Sequence, residues 1–299
     1  MTSLLFEPRS GASVGHAGRP APAPFHPCPV DPACRHCRAP ASTPDPWSFV
    51  ERAYCISLAD RPDRAARAAA ELHRVGLCRR VLFYRPERHP FRVIEGIWES
   101  HRAVARHAQE AGARNALILE DDVTFARWVG PRTLAKVAAA MRELPPDWTI
   151  FFLGHWPLRA RFVSPRLLRT ASACAHAYVA SPRLLAWLAA NPFSKDERER
   201  ERIAGGGIDA SYARLPEAYA FFPMLATQAA LGSDHMAEKK RTKPIKKLKH
   251  LVTRTALGEV LLARMMRPNE LVIAAGAAGA ALASWLRQRL SASRAEARR

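Results

Sequence analysis

Between about residue 52 and residue 190 the apolar positions recur with two different periods, and each change of period marks a new element. Residues 53–58 (AYCISL) form an apolar run of strand length. Asp60, Pro62 and Asp63 then give a helix-start signal. Ala65, Ala68, Ala69, Leu72 and Val75 fall on one face of the helix that follows, and Gly76 ends it. Residues 80–84 (RVLFY) read as a second strand. A helix from residue 93 to about 111 carries Ile94, Ile97, Trp98, His101, Val104, Ala105 and Ala108 on its inner stripe, with Gly112 closing it. Residues 115–119 (NALIL) make a buried strand that runs directly into Glu120, Asp121 and Asp122. A helix over 131–143 is broken by Pro145 and Pro146, a strand follows at 149–153 (TIFFL), another at 177–180, and a helix begins after Pro182. Strands separated by helices predict an α/β fold with a largely parallel sheet covered on both faces.

Outside this stretch the periodicity fades. Residues 1–48 hold 10 of the 24 prolines and no periodic apolar pattern, which predicts a disordered leader. The domain is expected over residues 49–236. Within it, residues 196–202 (DERERER) alternate in charge and read as a solvated surface segment, and Gly205 to Gly207 as a flexible joint. Residues 237–299 form a basic, helical tail.

Charge sharpens the view of that tail. The formal net charge is +19, and residues 237–299 carry 15 Lys/Arg against 4 Asp/Glu, so +11 of it lies in the last fifth of the chain. The run 239–250 (KKRTKPIKKLKH) lacks the interleaved aromatics on which bases stack, so nucleic acid is not an expected partner. Residues 271–286 are free of charge, but 16 residues rise only about 24 Å as a helix, short of a ~30 Å hydrocarbon core. Two readings stay open: a peripheral helix on an anionic membrane face, aided by the lysines, or a packed C-terminal helix behind a solvated linker.

The six cysteines, Cys28, Cys34, Cys37, Cys55, Cys78 and Cys174, lack the regular spacing of a small secreted disulfide scaffold. The N-terminus has no basic region followed by a long apolar one. Both point to a reducing cytoplasm, with a peripheral position on the inner face of a membrane as the extension of the tail reading. His26, Cys28, Cys34, His36 and Cys37 could ligate zinc, but a single Cys-x-x-Cys without a second pair is an incomplete pattern, and the metal-free reading is preferred.

The strongest chemical signal is ILEDDV, residues 118–123. Three successive carboxylates repel one another when buried without a cation. Just beyond a central strand they lie where open α/β sheets bind ligands. Mg²⁺ or Mn²⁺ is commonly held by one or two carboxylates together with substrate phosphates. The bland alternative is helix N-capping by aspartate.

With its flanks, this motif resembles glycosyltransferase family 25, which includes lipopolysaccharide-biosynthesis transferases and is related to the collagen galactosyltransferases. ISLADRPDR (56–64), GIWESHRAVARHA (96–108), ALILEDDV (116–123), DWTIFFLG (147–154), AHAYVASPRLLAWL (175–188), IDASYARL (208–215) and TQAALGSD (227–234) are similar to family segments and occur in the family's order. The likeness spans roughly residues 53–236. It implies a GT-A-like, Rossmann-like fold with a mixed, mostly parallel sheet. It also implies transfer of a hexose of galactose or glucose type from a nucleotide-diphosphate sugar to a hydroxyl of a glycan or lipid-linked acceptor, with Mn²⁺ or Mg²⁺. Carried over by position, Glu120 and Asp122 would serve the metal. Asp121, Ser57 (where members commonly carry Asn), Arg61 and Arg64 would lie toward the nucleotide sugar, guanidinium groups being suited to phosphate. Asp209 would lie on the acceptor side, as the base if the reaction inverts configuration; retention would remove that role. Glu99 stands where a small or apolar residue is expected. The alternative is a protein that keeps the fold as a binding or scaffold module without turnover.

Each singled-out side chain also has a plainer reading. His101 lies on an apolar stripe and fits a hydrogen-bonded core histidine as well as an acceptor contact. His176 and His235 could supply a metal nitrogen, but each alone is more simply structural. Arg61 and Arg64 stand at a helix start, where a cation is unfavourable unless an anionic ligand is bound there.

Overall fold

A computed structural model describes residues 25–193 and 207–229, with the backbone alone for Trp156. The chain runs β1 (Phe25–Pro27), α1 (Arg35–Arg38), β2 (Arg52–Ile56), α2 (Pro62–Val75), β3 (Val81–Tyr84), α3 (Val93–Glu110), β4 (Ala116–Glu120), β5 (Val123–Phe125), α4 (Pro131–Arg142), β6 (Ile150–Ser164), β7 (Leu167–Ala180), α5 (Pro182–Ala190), α6 (Gly207–Tyr212), β8 (Ala218–Phe221) and β9 (Ala226–Gln228).

Seven strands form one sheet in the order β1-β3-β2-β4-β7-β6-β8. β3, β2 and β4 run parallel; β7 is antiparallel to β4 and β6, and β8 is parallel to β6. With β1 antiparallel to β3, five strands point one way and two the other. The fold is thus α/β, with a mixed, mostly parallel sheet flanked by helices.

Strand alternation supplies both faces of the core. Along β4, Leu117 and Leu119 join one apolar cluster while Ala116 and Ile118 join the other. A strand buried on both sides must read as an unbroken apolar run, as NALIL does. The stripe Ala65, Ala68, Ala69, Leu72 and Val75 of α2 covers the first face together with Leu134 and Val137 of α4. Trp98, Val104, Ala105 and Ala108 of α3, with Leu184, Leu185 and Leu188 of α5, cover the second. Gly76 ends α2 in the left-handed region at φ +74.

Two expectations need correction. Residues 25–48, expected in the disordered leader, are part of the folded unit. β1 pairs with the edge strand β3, the Phe25 ring stacks on His107 at 3.9 Å between centroids, and Trp47 is fully buried with its Nε1 donating to the Val75 carbonyl at 2.9 Å. Proline depleted the periodic signal but is tolerated on a sheet edge, where Pro27 sits. Residues 1–24 lie outside the described residues. The second correction concerns residues 154–176, which join the strands expected at 149–153 and 177–180 into a long β6–β7 hairpin turning at Pro165 and Arg166. Several register shifts break the period-2 alternation that would have announced it.

The C-terminal tail, including its lysine run and its charge-free stretch, lies outside the described residues. Among the described residues no helix is long and apolar enough to cross a membrane.

Candidate active site

From β2 the chain crosses one face through α2 to β3, then returns under the other face through α3 to β4 on the far side of β2. The strand order therefore reverses between β2 and β4, and a crevice opens at their carboxyl ends. A cavity of about 230 Å³ lies there.

β4 delivers Glu120 as its last residue, level with Ile56 of β2. Asp121 and Asp122 form the turn into β5, so they cap no helix. β5 pairs with β9, which puts Gln228 opposite Val123 and lets its side chain hydrogen-bond the Glu120 carboxylate. Arg64, in the first turn of α2, reaches Asp121 Oδ1 at 2.7 Å and Asp122 Oδ2 at 3.4 Å. The α3 stripe contributes Ile97, Ser100 and His101, and α6 contributes Asp209.

Crowding carboxylates in an enclosed space makes ionisation costly. Burial, then the charge of Asp121, raises the Glu120 carboxyl, while burial, then the charge of Glu120, raises that of Asp122; Arg64 opposes both shifts. Asp209 is pushed up to about 7, by burial first and by Glu120 second. The Glu120 side chain is 25% exposed and that of Asp122 16%, and both line the cavity. Asp122 Oδ1 is shut away with no hydrogen-bond partner among the described residues.

His101 is buried, and burial lowers it to about 4, with Asp209 pulling the other way. It is therefore neutral at pH 7. Its Nδ1 lies 2.8 Å from the Tyr178 hydroxyl, which lies 2.6 Å from that of Tyr212, and its Nε2 is 3.5 Å from Glu120 Oε1. The backbone N–H groups of Cys174 and Ala175 donate to the Asp209 carboxylate. Cys174 adopts φ +84, a conformation that costs an L-residue about 1–2 kcal/mol, and such strain concentrates at functional sites.

Of the residues singled out from sequence, Arg64, Glu120, Asp121, Asp122, His101 and Asp209 meet in this cleft. Three others do not line it. Ser57 is buried beneath, its N–H donating to Tyr84 O at 3.0 Å. Arg61 is turned to Asp63, which both Nε and Nη2 contact at 2.9 Å. His176 packs over Gly154, where a Cβ would strike its ring and the Ala226 carbonyl. His235 lies outside the described residues. Sequence reasoning missed Glu87, Arg88 and His89, which line the cleft from the loop after β3. A charged loop following a parallel strand was the available signal.

The acidic cluster fits a divalent cation in one respect: Asp122 Oδ1 is an orphaned buried acceptor beside a second raised carboxyl. Two carboxylates plus ligand phosphates are what it can offer. Among the described residues, the group of three or more ligating side chains whose donor atoms all lie within 4.8 Å of one another is elsewhere: Cys34, Cys37, His73 and Cys78. Comparison with protein-family models and with curated proteins finds no match for this chain.

Proposed function

We propose that the chain is a glycosyltransferase of GT-A type that moves a hexose from a nucleotide-diphosphate sugar to a hydroxyl of a glycan or lipid-linked acceptor. The observation that carries this reading is the convergence of Glu120, Asp121, Asp122, Arg64 and Asp209 on one crevice at the carboxyl ends of β2 and β4. The family 25 resemblance of the sequence supplies the reaction class. The cavity is smaller than the roughly 300–1,000 Å³ of sites that enclose a whole small molecule, so it suits the reacting end of a donor.

In this reading Glu120 and Asp122 hold Mn²⁺ or Mg²⁺, which when bound supplies charge neutralisation for the departing diphosphate. Arg64, at the α2 N-terminus, adds a guanidinium to the same anion, exchanging its present contacts with Asp121 and Asp122 for phosphate oxygens. Asp209 is poised near neutrality, as suits a base that takes the acceptor hydroxyl's proton in an inverting displacement. The two N–H donors from Cys174 and Ala175 hold its carboxylate in position. Neutral His101 stands beside Glu120, its Nε2 3.5 Å from Oε1, without adding a positive charge that would compete with the cation.

The test is release of nucleoside diphosphate from a panel of nucleotide sugars, with and without Mn²⁺, for wild type and Asp122→Ala. The expected outcome is metal-dependent turnover that falls at least ~100-fold in the variant, the scale of losing one electrostatic group in a closed site. The ion pairs of Arg64 with Asp121 and Asp122 favour one competing reading, a scaffold that keeps the fold with its acids already neutralised. Donor binding with no turnover on any acceptor would select that reading instead.

A further inference from the structure

At the opposite end of α2 from Arg64 lies a second group of chemically active side chains. Cys34 and Cys37 are three residues apart around the start of α1, with the Arg38 N–H bonded to the Cys34 carbonyl at 3.2 Å. His73 is in the last turn of α2. The chain then reverses at Gly76, and Leu77 N–H bonds back to the Leu72 carbonyl at 2.9 Å, which returns Cys78 to the side of His73. Cys34 Sγ lies 4.0 Å from Cys78 Sγ, Cys37 Sγ lies 3.7 Å from Cys78 Sγ, and Cys37 Sγ lies 3.5 Å from His73 Nδ1.

Those separations discriminate between chemistries. A disulfide needs its sulfurs about 2.05 Å apart, and Cys34, Cys37 and Cys78 form none. A tetrahedral zinc ion with Zn–S of about 2.3 Å and Zn–N of about 2.0 Å requires sulfur–sulfur edges of about 3.8 Å and sulfur–nitrogen edges of about 3.5 Å. The three separations given lie within about 0.2 Å of those edges, and all four ligand atoms lie within 4.8 Å of one another, close enough to draw in around one ion. Cys34 and Cys78 are buried, and Cys37 and His73 half-buried. Four protein ligands leave no open position, which is the pattern of structural rather than catalytic zinc. Three thiolates on Zn²⁺ leave one negative charge, and Arg35 and Arg74 line the surface beside it.

We propose that Cys34, Cys37, His73 and Cys78 form a structural zinc site that clamps the N-terminal arm, residues 25–50, onto the end of α2 and the loop before β3. The arm needs such a clamp. Its own regular structure is one three-residue strand and a four-residue helix, too little to hold it on the sheet unaided. Besides β1 and Phe25, further ties gather near the same loop: Trp47 to Val75, Arg79 to the Ala39 carbonyl, Arg80 to Asp45 and Val50. The site is independent of the cleft chemistry, since nine residues of helix, about 14 Å, separate His73 from Arg64.

The test is elemental analysis and zinc-edge X-ray absorption on the full-length chain purified from zinc-supplemented medium without chelator. About one zinc per chain, with a shell of about three sulfurs and one nitrogen, is the expected result. Cys37→Ser and Cys78→Ser are expected to lower zinc content at least ~10-fold, and His73→Ala likewise, while His73→Cys restores it through a four-sulfur set. Cys55→Ser, a core cysteine away from the cluster, is expected to keep the metal. Should the cysteine variants fail to fold, the absorption spectrum of the wild type decides alone. A metal-free wild type with alkylatable thiols, a chain lighter by the two hydrogens of a disulfide, or zinc in an oxygen-rich shell would each overturn the proposal.

Discussion

The buried chain from His101 through Tyr178 to Tyr212 has a sharp energetic asymmetry at the level of single atoms. The Tyr178 hydroxyl serves His101 on one side and Tyr212 on the other, and no water can replace it at a fully buried position. Tyr178→Phe therefore leaves a buried imidazole nitrogen without its partner, a cost of about 1–3 kcal/mol. Chemical denaturation of the variant is expected to show that loss with an unchanged m-value; an unaltered midpoint would mean the hydroxyl carries no weight. The same atoms answer the question left open for His101. It is a hydrogen-bonded core histidine that also meets the cleft through Nε2, so the structural and functional readings describe two edges of one ring. Cys174 is the residue that sequence could not have flagged, because a left-handed backbone has no signature in a cysteine.

At the scale of elements, α2 joins the two ends of the chemistry. Its N-terminal turn offers Arg64 to the acids and its C-terminal turn offers His73 to the cysteines. Gly76 permits the second role twice over. Its φ of +74 disfavours any side chain, and a Cβ there would sit 2.8 Å from the His36 ring. Gly76→Ala is expected to destabilise the protein by about 1–3 kcal/mol and to expose the arm to proteolysis before the sheet, measurable by denaturation and limited digestion. An arm that stays protease-resistant would show that Trp47 and β1 hold it without the turn. The helices and the parallel strands of the first half were legible because each obeys a single period over its whole length. The β6–β7 hairpin was not, since its register shifts move successive residues between faces and its exposed part carries Leu158, Phe162 and Val163 where polar residues are normally expected.

Across the whole molecule, the cleft works against stability, and the sign of its pH dependence follows from the shifted groups. Glu120, Asp122 and Asp209 are raised in the folded protein, so the folded state holds protons that the unfolded state has released. Their stabilising contribution is complete below about pH 4 and is lost as pH rises through about 7 for Glu120 and Asp209 and about 8 for Asp122. His101 is lowered, so its contribution is lost as pH falls below its ordinary value of 6.5 toward about 4. The two trends oppose one another in acid, but of these four groups only the carboxylates act above 6.5. Between pH 6.5 and 8 the melting temperature of protein free of added Mn²⁺ is expected to fall with rising pH, and added Mn²⁺ is expected to restore more of it at pH 8 than at pH 6.5. A flat profile, or a manganese effect independent of pH, would separate the acids from cation binding.

The sequence alone determined the alternation of strands and helices from residue 52 to the start of β6 and the position of the acids after β4, because burial on both sheet faces and helix periodicity write themselves into neighbouring residues. It also made Cys34 and Cys37 visible as half of a pattern. Only the tertiary structure decided that Asp209 comes back to Glu120, that Arg61 turns away while Arg64 turns in, and that His73 and Cys78 complete what the two cysteines began. Those pairings join residues 36 to 89 positions apart, and distance along the chain carries no local period from which contact in space can be read.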